Sequence, residues 1–255
     1  NQGKTHMNTD GLRDLELAGV RWELAETPTS GGIAGTVANV NADCAPRSDV
    51  HAPRGVVPPA APITIDATPA ANAAGDMAAL RAAIAEFNHP LRATATNVVL
   101  PHAAPNPGGL VIVTDIPGAD DDASGTILSG GAGELMDKML AAIGLSRDNV
   151  SIVPLLFWRT PGGRSPSDEE QKLARPFVDR ALELLAPRVI LTLGTLPAAQ
   201  IGGVRLPGAH GTAVTLENGR HVMPIYHPNF LLLKPAAKRD VWTALQQVQN
   251  LLKTV

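Results

Sequence analysis

The chain has a single cysteine, Cys44, among its 255 residues. One thiol cannot form an internal disulfide bond, and on its own it cannot hold a structural zinc ion or an iron–sulfur cluster. Cys44 lies in a stretch with no sustained hydrophobic period, so we interpret it as a free thiol in a flexible segment.

Long apolar runs and a strong excess of charge are also missing. No run of about eighteen apolar residues occurs, and the N-terminus lacks the charged-then-apolar pattern of a signal peptide, so we expect a soluble cytoplasmic protein without a membrane segment. The formal net charge is −3, which does not indicate a broad nucleic-acid-binding surface. Any contact with DNA must therefore use local basic residues or backbone amides.

Small residues and prolines are concentrated in one segment. Residues 28–75 are rich in Ala, Pro, Gly, Ser and Thr, and such a composition buries too little apolar area to offset the entropy of ordering, so we predict a linker of low order. Residues 1–27 form an N-terminal extension, in which 11–27 have the spacing of a short amphipathic helix that needs a partner surface. The compact domain is predicted over 76–255, beginning with a helix capped by Asp76.

Four apolar runs in this domain alternate with helical patterns. The runs are residues 110–114, 150–157, 188–194 and 221–226. Short apolar runs bounded by glycine and proline are typical of buried strands, and Pro154 predicts a bulge or an early end of the second one. The alternation predicts a three-layer α/β/α fold with a mostly parallel, doubly wound sheet and right-handed crossovers.

The first strand stops at an acidic residue. Asp115 is followed by a Pro117-Gly118 turn, and open α/β sheets bind ligands at the carboxyl ends of such strands. Asp115 is therefore expected at the mouth of a crevice. The alternative is that Asp115 only caps the turn and that the three acids at 120–122 form a solvated loop.

Three further stretches could contact an anion. A glycine-rich turn ahead of a predicted helix contains Gly131 and Gly133, whose amides could approach a phosphate. The loop at 158–165 carries Arg159 and Arg164. The last strand ends at His227-Pro228.

Together these stretches resemble the uracil-DNA glycosylase superfamily, most closely its family-4 branch, bacterial forms included. The matching blocks run in order from about residue 76 to the C-terminus: PLRATATN at 90–97, the PG turn at 117–118, AGELMDKMLAAIGL at 132–145, LFWRTPGGRSPS at 155–167, ARPFVDRALELLAPRVILTLG at 174–194 and YHPNFLL at 226–232. Several blocks with sensible spacing are far more specific than any one of them.

The resemblance implies an enzyme that flips uracil into a pocket and cleaves its bond to deoxyribose. A carboxylate near the sugar and a donor near the departing base would both help, and these catalytic positions fall on Asp115 and His227. The family motif GEAPG reads TDIPG here, so the base pocket would include Ile116, Pro117 and Gly118. Its stacking phenylalanine aligns with Leu128 and its pyrimidine-reading asparagine with Pro154.

The cluster cysteines of the resembled family are missing. Their positions fall near His89, on Trp158 and on Ala174, so we predict that the iron–sulfur cluster is absent and that the chain has no metal and no cofactor. DNA is the expected partner, bound weakly and non-specifically. The residues expected to contact it are Gly131, Gly133, Arg159, Arg164, Pro228 and Asn229.

Three functional hypotheses follow. The first is a glycosylase-like protein with an eroded pocket that binds DNA or a partner with little or no base excision. The second is a working glycosylase that excises uracil or another damaged base in base-excision repair. The third is a non-enzymatic interaction scaffold, with a protein partner bound through the N-terminal helix or the linker. The pattern leaves open whether the chain is an enzyme, because function depends on the site and not on the fold.

Overall fold

The computed structural model describes residues 66–254. The predicted N-terminal helix, most of the predicted linker and Cys44 lie outside this range. Five strands of the described part form one sheet: β1 (Leu110–Thr114), β2 (Val150–Pro154), β3 (Val189–Leu193), β4 (Val214–Thr215) and β5 (His221–Ile225). Their order is β2-β1-β3-β5-β4. Strands β2, β1, β3 and β5 are parallel, and β4 runs antiparallel to β5 at the edge of the sheet.

Eight α-helices of the described part accompany the sheet: α1 (Thr68–Ala73), α2 (Met77–Glu86), α3 (Ala119–Ser124), α4 (Gly130–Ala142), α5 (Asp168–Leu185), α6 (Thr195–Gly202), α7 (Pro228–Leu233) and α8 (Lys238–Thr254). Helices α4, α7 and α8 contribute to the hydrophobic core on one face. Helices α1, α2, α5 and α6 contribute to the core on the other face. None of the helices within 66–254 has the length and apolarity needed to cross a membrane.

The strand side chains explain the three layers. Leu110 and Ile112 of β1 point into the first core, whereas Val111 and Val113 point into the second. A strand buried on both faces has no polar side to alternate with, which is why the run reads as continuously apolar. The predicted three-layer α/β/α fold with a mostly parallel sheet is confirmed.

The compact part begins before the predicted boundary at residue 76. Helix α1 lies inside the segment expected to be a linker, and Ala67, Ala71 and Ala74 are buried at its ends and inner face. The Arg180 guanidinium of α5 donates to the Ala74 carbonyl at 2.9 and 3.0 Å. Alanine at near-helical spacing packs closely against a neighbouring helix, but its low hydrophobicity made this part of the segment resemble a loop.

Two other local predictions can be compared with the structure. Strand β2 ends at Pro154, in agreement with the predicted early end, and the Leu155 amide then donates to the Thr114 carbonyl at 3.1 Å. Helix α4 begins within the glycines that were predicted as a turn. A Cβ atom on Gly133 would lie 1.8 Å from the Leu128 carbonyl oxygen, so this glycine allows the helix to pack closely on the preceding loop.

Candidate functional site

Three neighbouring strands end at the same edge of the sheet. Asp115 follows β1, Gly194 follows β3, and His227 lies just beyond β5. A Cβ atom on Gly194 would lie 3.6 Å from the His227 Cβ and 3.8 Å from the Asp115 Oδ2. The two residues predicted as catalytic therefore flank Gly194, which the sequence analysis did not single out.

Gly194 joins the strand ends through its backbone. Its amide donates to the Ile225 carbonyl at 2.9 Å, and its φ of 94° with ψ of −178° is a conformation that only glycine adopts readily. The signal in the sequence is a glycine at the end of a buried run, which is equally typical of an ordinary turn.

His227 is held as a neutral donor. It is the N-cap of α7, and its Nδ1 accepts the Asn229 amide at 3.2 Å. The proton of the neutral ring therefore resides on Nε2, which lies 3.2 Å from the Thr114 Oγ1. Burial lowers the pKa of His227 to about 4, and the Asp121 charge partly opposes this fall. At neutral pH the Nε2–H group donates to the Thr114 hydroxyl.

Asp115 is half-buried at the edge of the same site. Its Oδ1 accepts the amide of Ile116 at 3.0 Å. Burial raises the pKa of the Asp115 carboxyl, and the Ile116 hydrogen bond partly opposes this rise. The residue caps the turn, as the simpler alternative expected, and it also faces the crevice.

The acids after this turn shape the loop and are not a solvated run. The Asp121 carboxylate accepts hydrogen bonds from the Gly118 amide and from both the amide and the hydroxyl of Ser129. Asp122 is buried, and its Oδ1 accepts the amides of Thr96 and Asn97 at 2.9 and 3.1 Å. The expectation that all three acids are solvated is wrong, because the carboxylates of Asp121 and Asp122 accept hydrogen bonds from backbone amides of the protein.

The residues aligned with the base pocket are packed into the protein. Leu128 is 2% exposed, with a φ of 51°, and Arg147 donates to the carbonyls of Ile127 and Leu128. Pro154 is buried and is the register partner of Thr114, which is itself 4% exposed. Pro117 is buried as well, and Ile116 and Gly118 are half-buried.

A cavity of about 510 Å³ opens beside Asp115. Its lining residues include Asp115, Ile116, Gln171, Thr195, Leu196 and Arg205. Leu128, Pro154 and His227 are not part of this lining. The walls of this cavity thus come from α5, α6 and neighbouring loops.

Several residues predicted to contact DNA have internal partners. Arg164 forms a two-pronged ion pair with Glu170 at 2.6 and 2.9 Å. The hydrogen bond from Arg164, followed by that from the Ser167 amide, lowers the pKa of Glu170 to about 2 against the effect of burial. The Gly133 amide donates to the carbonyl of Ser129, the N-cap of α4. The Asn229 amide donates a hydrogen bond to the Nδ1 atom of His227, and Pro228 is buried.

The outer surface of α7 is apolar. Leu231 is fully buried, whereas Leu232 and Leu233 are 48% and 82% exposed. The Leu232 Cδ1 would lie 3.6 Å from a Cβ atom on Gly131, so α7 meets the N-terminus of α4. Lys234 Nζ lies 5.6 Å from the Phe230 ring centroid. Arg159 is half-buried in the loop after β2.

Comparison with known proteins agrees with this architecture. Residues 101–248 match the model of the Uracil DNA glycosylase superfamily. The type-4 uracil-DNA glycosylase of Archaeoglobus fulgidus is 31% identical over 172 residues, which cover 63% of this chain and 85% of the relative. That of Thermotoga maritima is 32% identical over 169 residues, covering 64% and 88% respectively.

Proposed function

Because the chain belongs to the uracil-DNA glycosylase superfamily, we propose that it binds DNA at this edge of the sheet but excises uracil slowly or not at all. The observation that carries the proposal is the hydrogen bond between His227 and Thr114. In the family motif that TDIPG resembles, a glycine stands at the position of Thr114. The Thr114 hydroxyl accepts the hydrogen bond from the His227 Nε2–H group, which is the donor that a departing base would need.

The neighbouring side chains support the same conclusion. A flipped pyrimidine needs a stacking surface and a group that reads its edge. Leu128 has no aromatic face, and aromatic stacking contributes roughly 1 to 3 kcal/mol per base. Pro154 has no side-chain donor or acceptor, and losing hydrogen bonds on which a site relies relaxes discrimination by about 10⁴-fold or more.

Asp115 retains the carboxylate but with a shorter side chain than the glutamate of the family motif. A carboxylate near the sugar stabilises the oxocarbenium-like transition state of glycosidic cleavage. The missing methylene group displaces it by about 1 Å, and a misplacement of this size costs on the order of 100-fold in rate. These effects act on one site and are not expected to add simply.

DNA binding is supported by the exposed surface around α7. Leu232 lies beside the N-terminus of α4 and Leu233 is exposed next to it in the chain. An exposed apolar side chain here could enter between base steps, as wedge residues do in other DNA-binding proteins. Lys234 supplies positive charge at the end of α7, and Arg159 supplies another in the loop after β2. With so few contacts, binding is expected to be weak, non-specific and sensitive to salt.

A second candidate function rests on the cavity beside Asp115. Its volume of about 510 Å³ lies within the range of small-molecule sites, and the carboxylate forms part of its wall. A base other than uracil could be excised there with Asp115 as the charged group and without His227 as the donor.

Cleavage of uracil-containing oligonucleotides at enzyme excess tests the proposal, with single- and double-stranded substrates and the variants Asp115→Asn and His227→Ala. We expect little uracil release by the unaltered chain and no further loss in the variants. Robust release that both substitutions abolish would overturn the eroded-pocket proposal. Release of another base that depends on Asp115 but not on His227 would support the second candidate.

A further inference from the structure

An aromatic cluster occupies the region where the resembled family would hold its iron–sulfur cluster. The positions of the cluster cysteines fall near His89, on Trp158 and on Ala174. Five rings meet there and are called the aromatic cluster below: Phe87, His89, Phe157, Trp158 and Phe177. Ala174 is fully buried one turn before Phe177 on α5.

The rings are arranged as in a well-packed protein core. His89 stacks on Trp158 with a centroid distance of 4.6 Å and an interplanar angle of 8°. Phe177 approaches Phe87 edge-on at 5.1 Å, and Phe157 approaches Trp158 edge-on at 5.7 Å. Phe157, Trp158 and Phe177 are fully buried. Offset stacks and edge-to-face pairs at these distances are the favoured aromatic geometries.

The residues at this place do not fit an iron–sulfur cluster. Such clusters require about four thiolate ligands, whereas the chain has one cysteine. His89 offers no lone pair either, because its Nδ1 accepts the Leu91 amide and its Nε2 bonds the Glu170 carbonyl, each at 3.1 Å. Within residues 66–254 no group of three or more His, Cys, Asp or Glu side chains is arranged to hold a metal ion.

We infer that the aromatic cluster replaces the metal cluster as the link between three segments of the fold. Phe87 and His89 come from the segment after α2, Phe157 and Trp158 from the loop after β2, and Phe177 from α5. The bond from His89 to the Glu170 carbonyl adds a link to the first turn of α5. The stability of this region therefore depends on ring packing and not on iron or on its oxidation state.

The link also orients a surface loop. Arg159 follows Trp158 directly, and the Arg164–Glu170 ion pair closes the loop on α5. The aromatic cluster thus holds the loop that carries Arg159 against α5 without a metal ligand.

The test combines metal analysis with thermal unfolding of the full chain. We expect no stoichiometric iron, no visible absorption and the same Tm with and without a chelator or an oxidant. Phe177→Ala and Trp158→Ala should each lower Tm by on the order of 10 °C. Trp158→Phe should stay near the unaltered chain, because it keeps a ring and removes an indole N–H that is buried without a hydrogen-bond partner in the described structure.

Trp242→Ala is the matched control, since Trp242 is half-buried and packs against the core on the other face of the sheet. It should lower Tm less than Trp158→Ala does. A brown protein with stoichiometric iron, or a Tm that falls on chelation, would overturn the inference. Alanine variants no less stable than the control would do the same. If an alanine variant does not accumulate, the iron and chelator measurements on the unaltered chain still decide.

Discussion

Gly194 lies between Asp115 and His227 in a backbone conformation that few other residues adopt. Its φ of 94° and ψ of −178° would strain any other residue, at a cost of about 1–3 kcal/mol. We predict that Gly194→Ala lowers the free energy of unfolding by that amount in urea titrations. Gly203→Ala is the control, because Gly203, with a φ of 65° and a ψ of 18°, lies in the left-handed helical region, which costs other residues less than the conformation of Gly194. An equal or smaller loss at Gly194 would contradict the prediction.

The protonation of His227 gives a second prediction. Its pKa is lowered to about 4 from an ordinary value of 6.5, mainly by burial. As the pH falls, His227 is protonated in the unfolded chain at a higher pH than in the folded chain. The contribution of neutral His227 to the free energy of unfolding is therefore full above pH 6.5 and is lost progressively toward pH 4. The loss is on the order of 3 kcal/mol. NMR titration of the histidines should show His227 as a neutral imidazole with its proton on Nε2 at pH 6. An apparent pKa near 6.5 for His227 would contradict this prediction.

The sequence could place some residues of the candidate site and not others. Asp115 and His227 were predicted at strand ends, where the structure places them, and their catalytic roles stay predictions. Thr114 reads as the last residue of a buried strand, and its contact with His227 depends on β5 lying two strands away from β1. Strand order is a property of the tertiary structure, so this hydrogen bond could not be predicted from local pattern.

At the scale of elements, the start of α5 depends on a reciprocal cap. The Ser167 hydroxyl accepts the Glu170 amide at 3.2 Å, and the Glu170 carboxylate accepts the Ser167 amide at 2.7 Å. We predict that Ser167→Ala destabilises the protein by about 0.5–2 kcal/mol. Ser165→Ala, at an exposed serine of the same loop, should change the unfolding midpoint little. Equal effects of the two substitutions would argue against the cap.

Element prediction succeeded where burial imposes a clear pattern. The four long strands are continuous apolar runs with glycine or proline at their ends, and α5 carries a recognisable capping box. Helices α1, α3 and α7 span only six residues each, too few for a helical period to emerge. The glycines of α4 resembled a turn because their packing reason, the approach of Gly133 to the Leu128 carbonyl, is visible only in three dimensions.

For the whole molecule, DNA binding should depend strongly on salt. Roughly three to five neutralised phosphates give a slope of about −3 to −5 for log affinity against log salt on duplex DNA. We predict that Arg159→Ala reduces the magnitude of this slope by about 1. Lys253→Ala is the matched control, because the end of α8 lies beside the end of α4, where Gln249 bonds the Ile143 carbonyl, away from the strand ends. No binding at low salt would favour the scaffold hypothesis.

The family could be identified from the order of several motifs, whereas the condition of the pocket could not. Substitutions at 128 and 154 indicated lost contacts, but the burial of Leu128 and the hydrogen bond of Thr114 to His227 depend on packing across the sheet. A crevice at Asp115 was expected, but the residues that line the cavity could not be predicted, because its walls come from α5, α6 and the loops next to them.

The central claim is that no pyrimidine reaches His227, and the most direct measurement is of its Nε2–H group. The full chain, labelled with ¹⁵N-histidine, is titrated with free uracil, with cytosine as the matched control ligand. The account predicts that neither base shifts the His227 Nε2 signal, because Thr114 holds that donor. A saturable shift caused by uracil and not by cytosine would contradict it.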